Sequence, residues 1–95
     1  MKFEELKIDE KYIKKLKENY ILEPTQVQIE AIPLVLSGRN TIVRAQTGTG
    51  KTLAFLLPIL MQTDISNKNI QTLILTPTRE LADQITKVGK MLTKD

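Results

Sequence analysis

The chain has 95 residues, 41% hydrophobic and 26% charged, with a formal net charge of +3, an ordinary balance for a small globular domain. It contains no Cys and no His, which excludes disulfides and thiolate metal sites and removes the commonest general base. Its longest apolar stretch, residues 53–61, is interrupted by Pro58 and is far shorter than the roughly 20 residues that span a membrane. The start does not read as a signal peptide, so a cytoplasmic location is expected. The mild positive charge says little about a nucleic-acid partner, because Lys mixed with Glu is usual on solvated helix faces.

Residues 1–8 carry isolated apolar points at Phe3, Leu6 and Ile8. Asp9 is placed to cap a helix through about Asn19, with Ile8, Tyr12, Ile13, Leu16 and Tyr20 at helical spacing and lysines on the other face. Asn19 is the expected breaker, since Asn tolerates the left-handed conformation. The stretch to Pro24 is extended, because a residue before Pro avoids the α region. Thr25 and Gln28 then match a capping box, opening a helix to about Leu36 with Gly38 closing it. Pro33 inside that helix removes one backbone bond and predicts a bend.

Residues 41–45 read as a short buried strand. Next comes Ala45-Gln46-Thr47-Gly48-Thr49-Gly50-Lys51-Thr52, which has the makings of a phosphate-binding loop. Gly48 and Gly50 let the backbone curl and approach an anion without a Cβ in the way. The curl aims N–H groups inward, and a helix starting near Lys51 adds its positive end. Lys51 is placed to reach the β- and γ-phosphates and the Thr52 hydroxyl to bind Mg²⁺. That helix runs to about Gln62, apolar on nearly every side and with Pro58 expected to kink it. Residues 63–69 form a polar loop, and 72–76 a second strand ended by Pro77. A last helix runs from about Thr78 to Thr93, striped by Leu81, Ala82, Ile85, Val88 and Leu92. The order strand, loop, helix, strand, helix predicts an α/β fold with parallel strands joined by a right-handed crossover. Two strands cannot finish a buried parallel sheet, so residues 1–95 read as the front of a larger α/β domain.

Taken together, these segments resemble the DEAD-box ATP-dependent RNA helicases over nearly the whole chain. Residues 24–28, Pro24 to Gln28, are similar to that family's Q motif, with Tyr20 at its aromatic position and Phe3 at an upstream one. Residues 45–52 match motif I, and Pro77 to Ala82 match motif Ia. The resemblance implies a partial RecA-like P-loop NTPase domain, truncated after the second strand and its helix. It implies ATP and Mg²⁺ as cofactors, held by Tyr20, Thr25, Gln28, Gln46, Thr47, Gly48, Thr49, Gly50, Lys51 and Thr52. Lys51 and Thr52 are the candidate catalytic residues, and Tyr20 would stack on the adenine. Pro77, Thr78 and Arg79 would touch the RNA sugar-phosphate backbone without reading sequence.

The chemistry of Gln28 points to adenine separately. A carboxamide sets an acceptor beside a donor, the complement of adenine N6–H₂ and N7, whereas guanine offers two acceptors there. The same side chain could instead serve as the return arm of the capping box. Arg79 could likewise pair with Glu80 or Asp83. Asn19-Tyr20 stands where the family usually has Gly-Phe. No Asp-Glu-Ala-Asp sequence occurs in the 95 residues, so the carboxylates that hold Mg²⁺ and poise water are missing, as is a second RecA-like domain. Residues 1–95 alone are therefore expected to be inactive. The alternatives are another P-loop NTPase, such as a DNA helicase, or a non-catalytic nucleotide- or RNA-binding module.

Overall fold

Apolar spacing and end signals set where each helix starts and stops. The computed structural model describes residues 2–46 and 50–94. Within them a 3₁₀ turn, Phe3–Leu6, precedes helices α1 (Glu10–Glu18), α2 (Gln26–Leu36), α3 (Lys51–Gln62) and α4 (Arg79–Thr93). Thr47, Gly48 and Thr49, central to the expected phosphate loop, lie outside the described residues.

α1 buries Tyr12, Ile13 and Leu16 of the face that its periodicity predicts, but Tyr20, at the same spacing, falls beyond the helix and is 91% exposed. Its two ends differ from expectation. Asp9 stands at the cap position, but its carboxylate makes no cap bond. The Asp9 carbonyl accepts from the Tyr12 and Ile13 N–H groups at 3.0 and 3.2 Å, as the carbonyl of a cap residue does; the exposed carboxylate keeps its water at no cost. At the other end Tyr20, and not Asn19, takes the left-handed conformation, with φ 61° against −104° for Asn19. The Tyr20 N–H donates to the Lys17 carbonyl at 3.0 Å and the Ile21 N–H to that of Leu16 at 2.8 Å, the paired bonds of a Schellman turn. Asn19 spends its side chain on the helix, its Nδ2 donating to the Lys15 carbonyl at 2.8 Å. The left-handed step thereby passes to the next residue.

α2 runs unbroken through Pro33 and α3 through Pro58. Gly38, at φ 83°, closes α2 with the same pair of bonds that ends α1. Thr78 caps α4, its hydroxyl accepting from the Leu81 N–H at 3.1 Å. The core gathers Phe3, Leu16, Ile32, Leu57 and Leu92 from the turn and all four helices. α2 and α3 form the most extensive contact, with α4 against α1 and α3. A 3.1 Å bond from Gln62 Nε2 to the Leu36 carbonyl joins α2 and α3 at their C-terminal ends. The Lys17 ammonium reaches Glu4 at 3.2 Å across exposed surface; a bond from Glu4's own backbone, then Lys17, holds that carboxyl below its usual range. Such an exposed pair adds little to stability.

The expected strands do not form among the described residues. Residues 41–46 and 70–76 are irregular, and Ile42 is 93% exposed, Leu75 84% and Leu73 78%. A strand exists only through a ladder with a neighbour, and two isolated segments have too few partners to cover both faces. The stripe on α4 is correspondingly unfinished: Leu92 is buried, but Leu81, Ile85 and Val88 are only half-buried. Between α2, α3 and α4 a cavity of about 360 Å³ opens, lined by Val35, Val43, Phe55, Leu81 and Ile85 among others.

In the 95-residue chain, Leu57→Ala is expected to remove about 2–5 kcal/mol of unfolding free energy, as a fully buried Leu replaced by Ala does. Leu22→Ala, at a site 62% exposed, should stay within about 0.5 kcal/mol. Urea denaturation followed by circular dichroism compares the two.

Candidate functional site

The site is built where α2 begins, because two N-termini meet there. Thr25 caps α2 in an extended conformation, and both arms of the capping box form. The Thr25 N–H donates to Gln28 Oε1 at 3.0 Å, and the Gln28 N–H donates to Thr25 Oγ1 at 3.4 Å. The carboxamide does more than return to its own helix. Its Nε2 donates to the Gly50 carbonyl at 3.2 Å, the same carbonyl that accepts from Ala54 N–H at 3.2 Å in the first turn of α3. One side chain thus spans from the start of α2 to the last residue of the phosphate loop. Gln28 is 2% exposed. A carboxamide has two lone pairs and two N–H groups, so one of each remains beyond these two bonds.

Gly50 is suited to this place for two reasons. Its φ of 87° lies in the left-handed region, and a Cβ there would run into Gln28 Nε2 and stand 3.1 Å from Thr25 Oγ1. The backbone turns tightly here and presents the start of α3 directly, the geometry that a phosphate cradle needs. Lys51 follows as an exposed side chain and Thr52 as a half-buried one, both bordering the cavity beneath α2. An exposed ammonium, a hydroxyl and a helix N-terminus with no side-chain cap among the described residues form a donor set that fits a nucleoside phosphate with its divalent cation.

Two further groups of expected site residues are exposed. Tyr20 is 91% exposed at the end of α1. Pro77, Thr78 and Arg79 are exposed around the start of α4. The pairing of Arg79 with Glu80 or Asp83 is not formed, and its guanidinium makes no ion pair among the described residues. Phe3, 2% exposed, belongs to the core. Gln46 is exposed at the near edge of the loop. Two features were not anticipated from sequence: the Gly50 carbonyl as the acceptor for Gln28, which no residue pattern signals, and the side-chain bond of Asn19, for which an Asn beside a helix end is the available clue.

The DEAD/DEAH box helicase family matches residues 25–95. The chain belongs to that family. It is 47% identical over all 95 residues to ATP-dependent RNA helicase CshA of Limosilactobacillus reuteri, covering 19% of that protein. It is 49% identical over 88 residues, 93% of the chain, to RNA helicase CrhR of Synechocystis sp., covering 18% of it. Among solved structures, S. cerevisiae Dbp5 bound to RNA and ADP BeF3 superposes on 97% of the chain with a TM-score of 0.91 at 35% identity, over 24% of its own length. A DEAD box protein from the hyperthermophile Methanococcus jannaschii gives 0.88 at 36% identity, over 97% of the chain and 25% of its own. The DEAD-box chain thus spans about a fifth of the curated relatives' length, and its neighbours in structure are DEAD-box RecA-like domains.

Gly38 and Gly50 share a positive φ but differ in surroundings, since nothing lies within 4 Å of a Cβ at Gly38. Gly38→Ala should therefore cost only the left-handed penalty of roughly 1–2 kcal/mol. Gly50→Ala adds a clash with Gln28 and should cost distinctly more. Paired urea denaturation curves measure the difference.

Proposed function

We propose that this DEAD-box chain is the first part of the ATP-binding RecA-like domain of an ATP-dependent RNA helicase, and that the full-length protein couples ATP hydrolysis to local remodelling of RNA. The bond from Gln28 to the Gly50 carbonyl carries the reading, since it welds a base-reading side chain to the phosphate loop. In this reading Gln28 offers adenine its remaining acceptor and donor, which favours ATP over GTP. The edge is covered at present, so a bound base has to displace the atoms over it. Tyr20 stacks on the adenine, and Thr25 braces the phosphate loop. Gln46, Thr47, Gly48, Thr49, Gly50 and Lys51 cradle the phosphates, and Thr52 holds Mg²⁺, which would neutralise charge on the β- and γ-oxygens.

Pro77, Thr78 and Arg79 contact the sugar-phosphate backbone of RNA. The Arg79 guanidinium, without an ion pair among the described residues, supports this, because an Arg already spent on a carboxylate could not neutralise a phosphate. Such contacts position RNA without reading its bases. Residues 41–45 and 72–76 become parallel strands when the rest of the sheet is present, which accounts for their exposed Ile42, Leu73 and Leu75. Residues 1–95 contain no Asp-Glu-Ala-Asp sequence and do not turn ATP over by themselves.

The full-length protein should hydrolyse ATP in preference to GTP, with stimulation by single-stranded RNA exceeding that by DNA. Lys51→Ala should abolish turnover, and purified 1–95 should show none; sustained ATPase from 1–95 that survives Lys51→Ala would refute the assignment of inactivity. For the sheet, Leu73→Ala should be nearly neutral in 1–95 but cost the full-length protein about 2–5 kcal/mol as a buried Leu. Equal costs in both chains on urea denaturation would argue against the strand.

A further inference from the structure

Two penalties coincide on Tyr20. Its φ of 61° puts a bulky residue in the left-handed region, and its ring is 91% exposed. A non-Gly residue is disfavoured there on steric grounds, and an aromatic ring left in water takes no share in the core. Neither penalty is required to end α1, because Gly at this position closes the same turn freely. Strain of this kind persists where the surroundings over-determine the backbone, and it gathers at ligand-holding sites.

The surroundings of Tyr20 do over-determine it. On one side Ile21 is bonded to the Leu16 carbonyl and packs against the core. On the other, Asn19 holds two consecutive carbonyls of α1. Its backbone N–H donates to Leu16 at 3.1 Å, tightening the last turn, and its Nδ2 donates to Lys15 at 2.8 Å. The side-chain bond fixes Asn19 at φ −104°, so the left-handed step falls on Tyr20 and the ring is turned outward.

We infer that Asn19 is a positioning residue for adenine binding: its side-chain bond to the Lys15 carbonyl fixes the turn that presents the Tyr20 ring. This rests on the stacking role of Tyr20 proposed above. Asn19 touches no ligand itself and acts through the orientation of its neighbour. A small polar residue with a donor suits the task, whereas a more flexible one would leave the ring free to swing.

The test measures ADP and inorganic pyrophosphate binding to the full-length protein by titration calorimetry. Pyrophosphate occupies the phosphate loop without a base, so it reports general damage to the fold. Asn19→Asp removes the donor and sets a carboxylate against a carbonyl. It should weaken ADP binding roughly three- to ten-fold, the range expected for one aromatic contact, and leave pyrophosphate unchanged. In a Tyr20→Leu background the same substitution should add nothing, the signature of two residues acting as one. Asn19→Gly, read in the same way, serves if the Asp variant fails to fold. An equal loss for both ligands, or an equal loss with and without the ring, overturns the inference. So does an unchanged ADP affinity for the Asn19 variants when Tyr20→Leu weakens it. If Tyr20→Leu itself leaves ADP binding intact, the stacking role fails and the inference falls with it.

Discussion

The structure turns on one backbone oxygen. The Gly50 carbonyl accepts the Ala54 N–H in the first turn of α3 and the side chain of Gln28, so the start of α3 is anchored to the start of α2 and not merely packed near it. Packing alone would fix the distance between the helices but leave the phosphate loop free to rotate. A directed bond between largely buried groups fixes both, because breaking it leaves a carbonyl without its full complement of partners. The requirement for Gly at position 50 follows from the same contact, since the space that a Cβ needs is filled by the carboxamide.

That junction is local, whereas the apolar faces around it extend outward. α2 and α3 make their most extensive contact with each other, while α1 packs against α4 and the 3₁₀ turn, so the helical layer has a core of its own. α4 is left half-covered, facing a cavity that runs up to Lys51 and Thr52. The N-terminus of α3 therefore borders the proposed phosphate site on one side and uncovered apolar surface on the other. In the reading proposed above, a sheet fills that space, and its position would be felt directly at the residues that hold the nucleotide.

Helices are legible in the sequence because their signals are local. Thr25 with Gln28 opens α2, Thr78 opens α4, and apolar spacing marks the buried Tyr12, Ile13 and Leu16 of α1. The finer end chemistry is not legible. Whether the Asp9 carboxylate makes a cap bond to α1, and whether Asn19 or Tyr20 turns left-handed, depends on competing bonds of similar strength. Segments 41–45 and 72–76 were read as strands from composition, but strand formation depends on partners that composition does not contain. At the site, the Gln28 carboxamide makes the capping bond that Thr25 and Gln28 signal, and its Nε2 also bonds the Gly50 carbonyl, because a carboxamide has capacity for both.

The amide clamps also separate two kinds of sensitivity to salt. Gln28 to Gly50 and Gln62 to Leu36 tie α2 to α3 at both ends through uncharged groups. Mobile ions screen charges and leave such bonds nearly untouched. The proposed RNA contact through Arg79 is of the opposite kind, since phosphate binding releases counterions and weakens steeply with ionic strength. In one short chain, the frame around the proposed nucleotide site is thus tied by bonds that screening barely touches, and the surface proposed for the polyanion is governed by it.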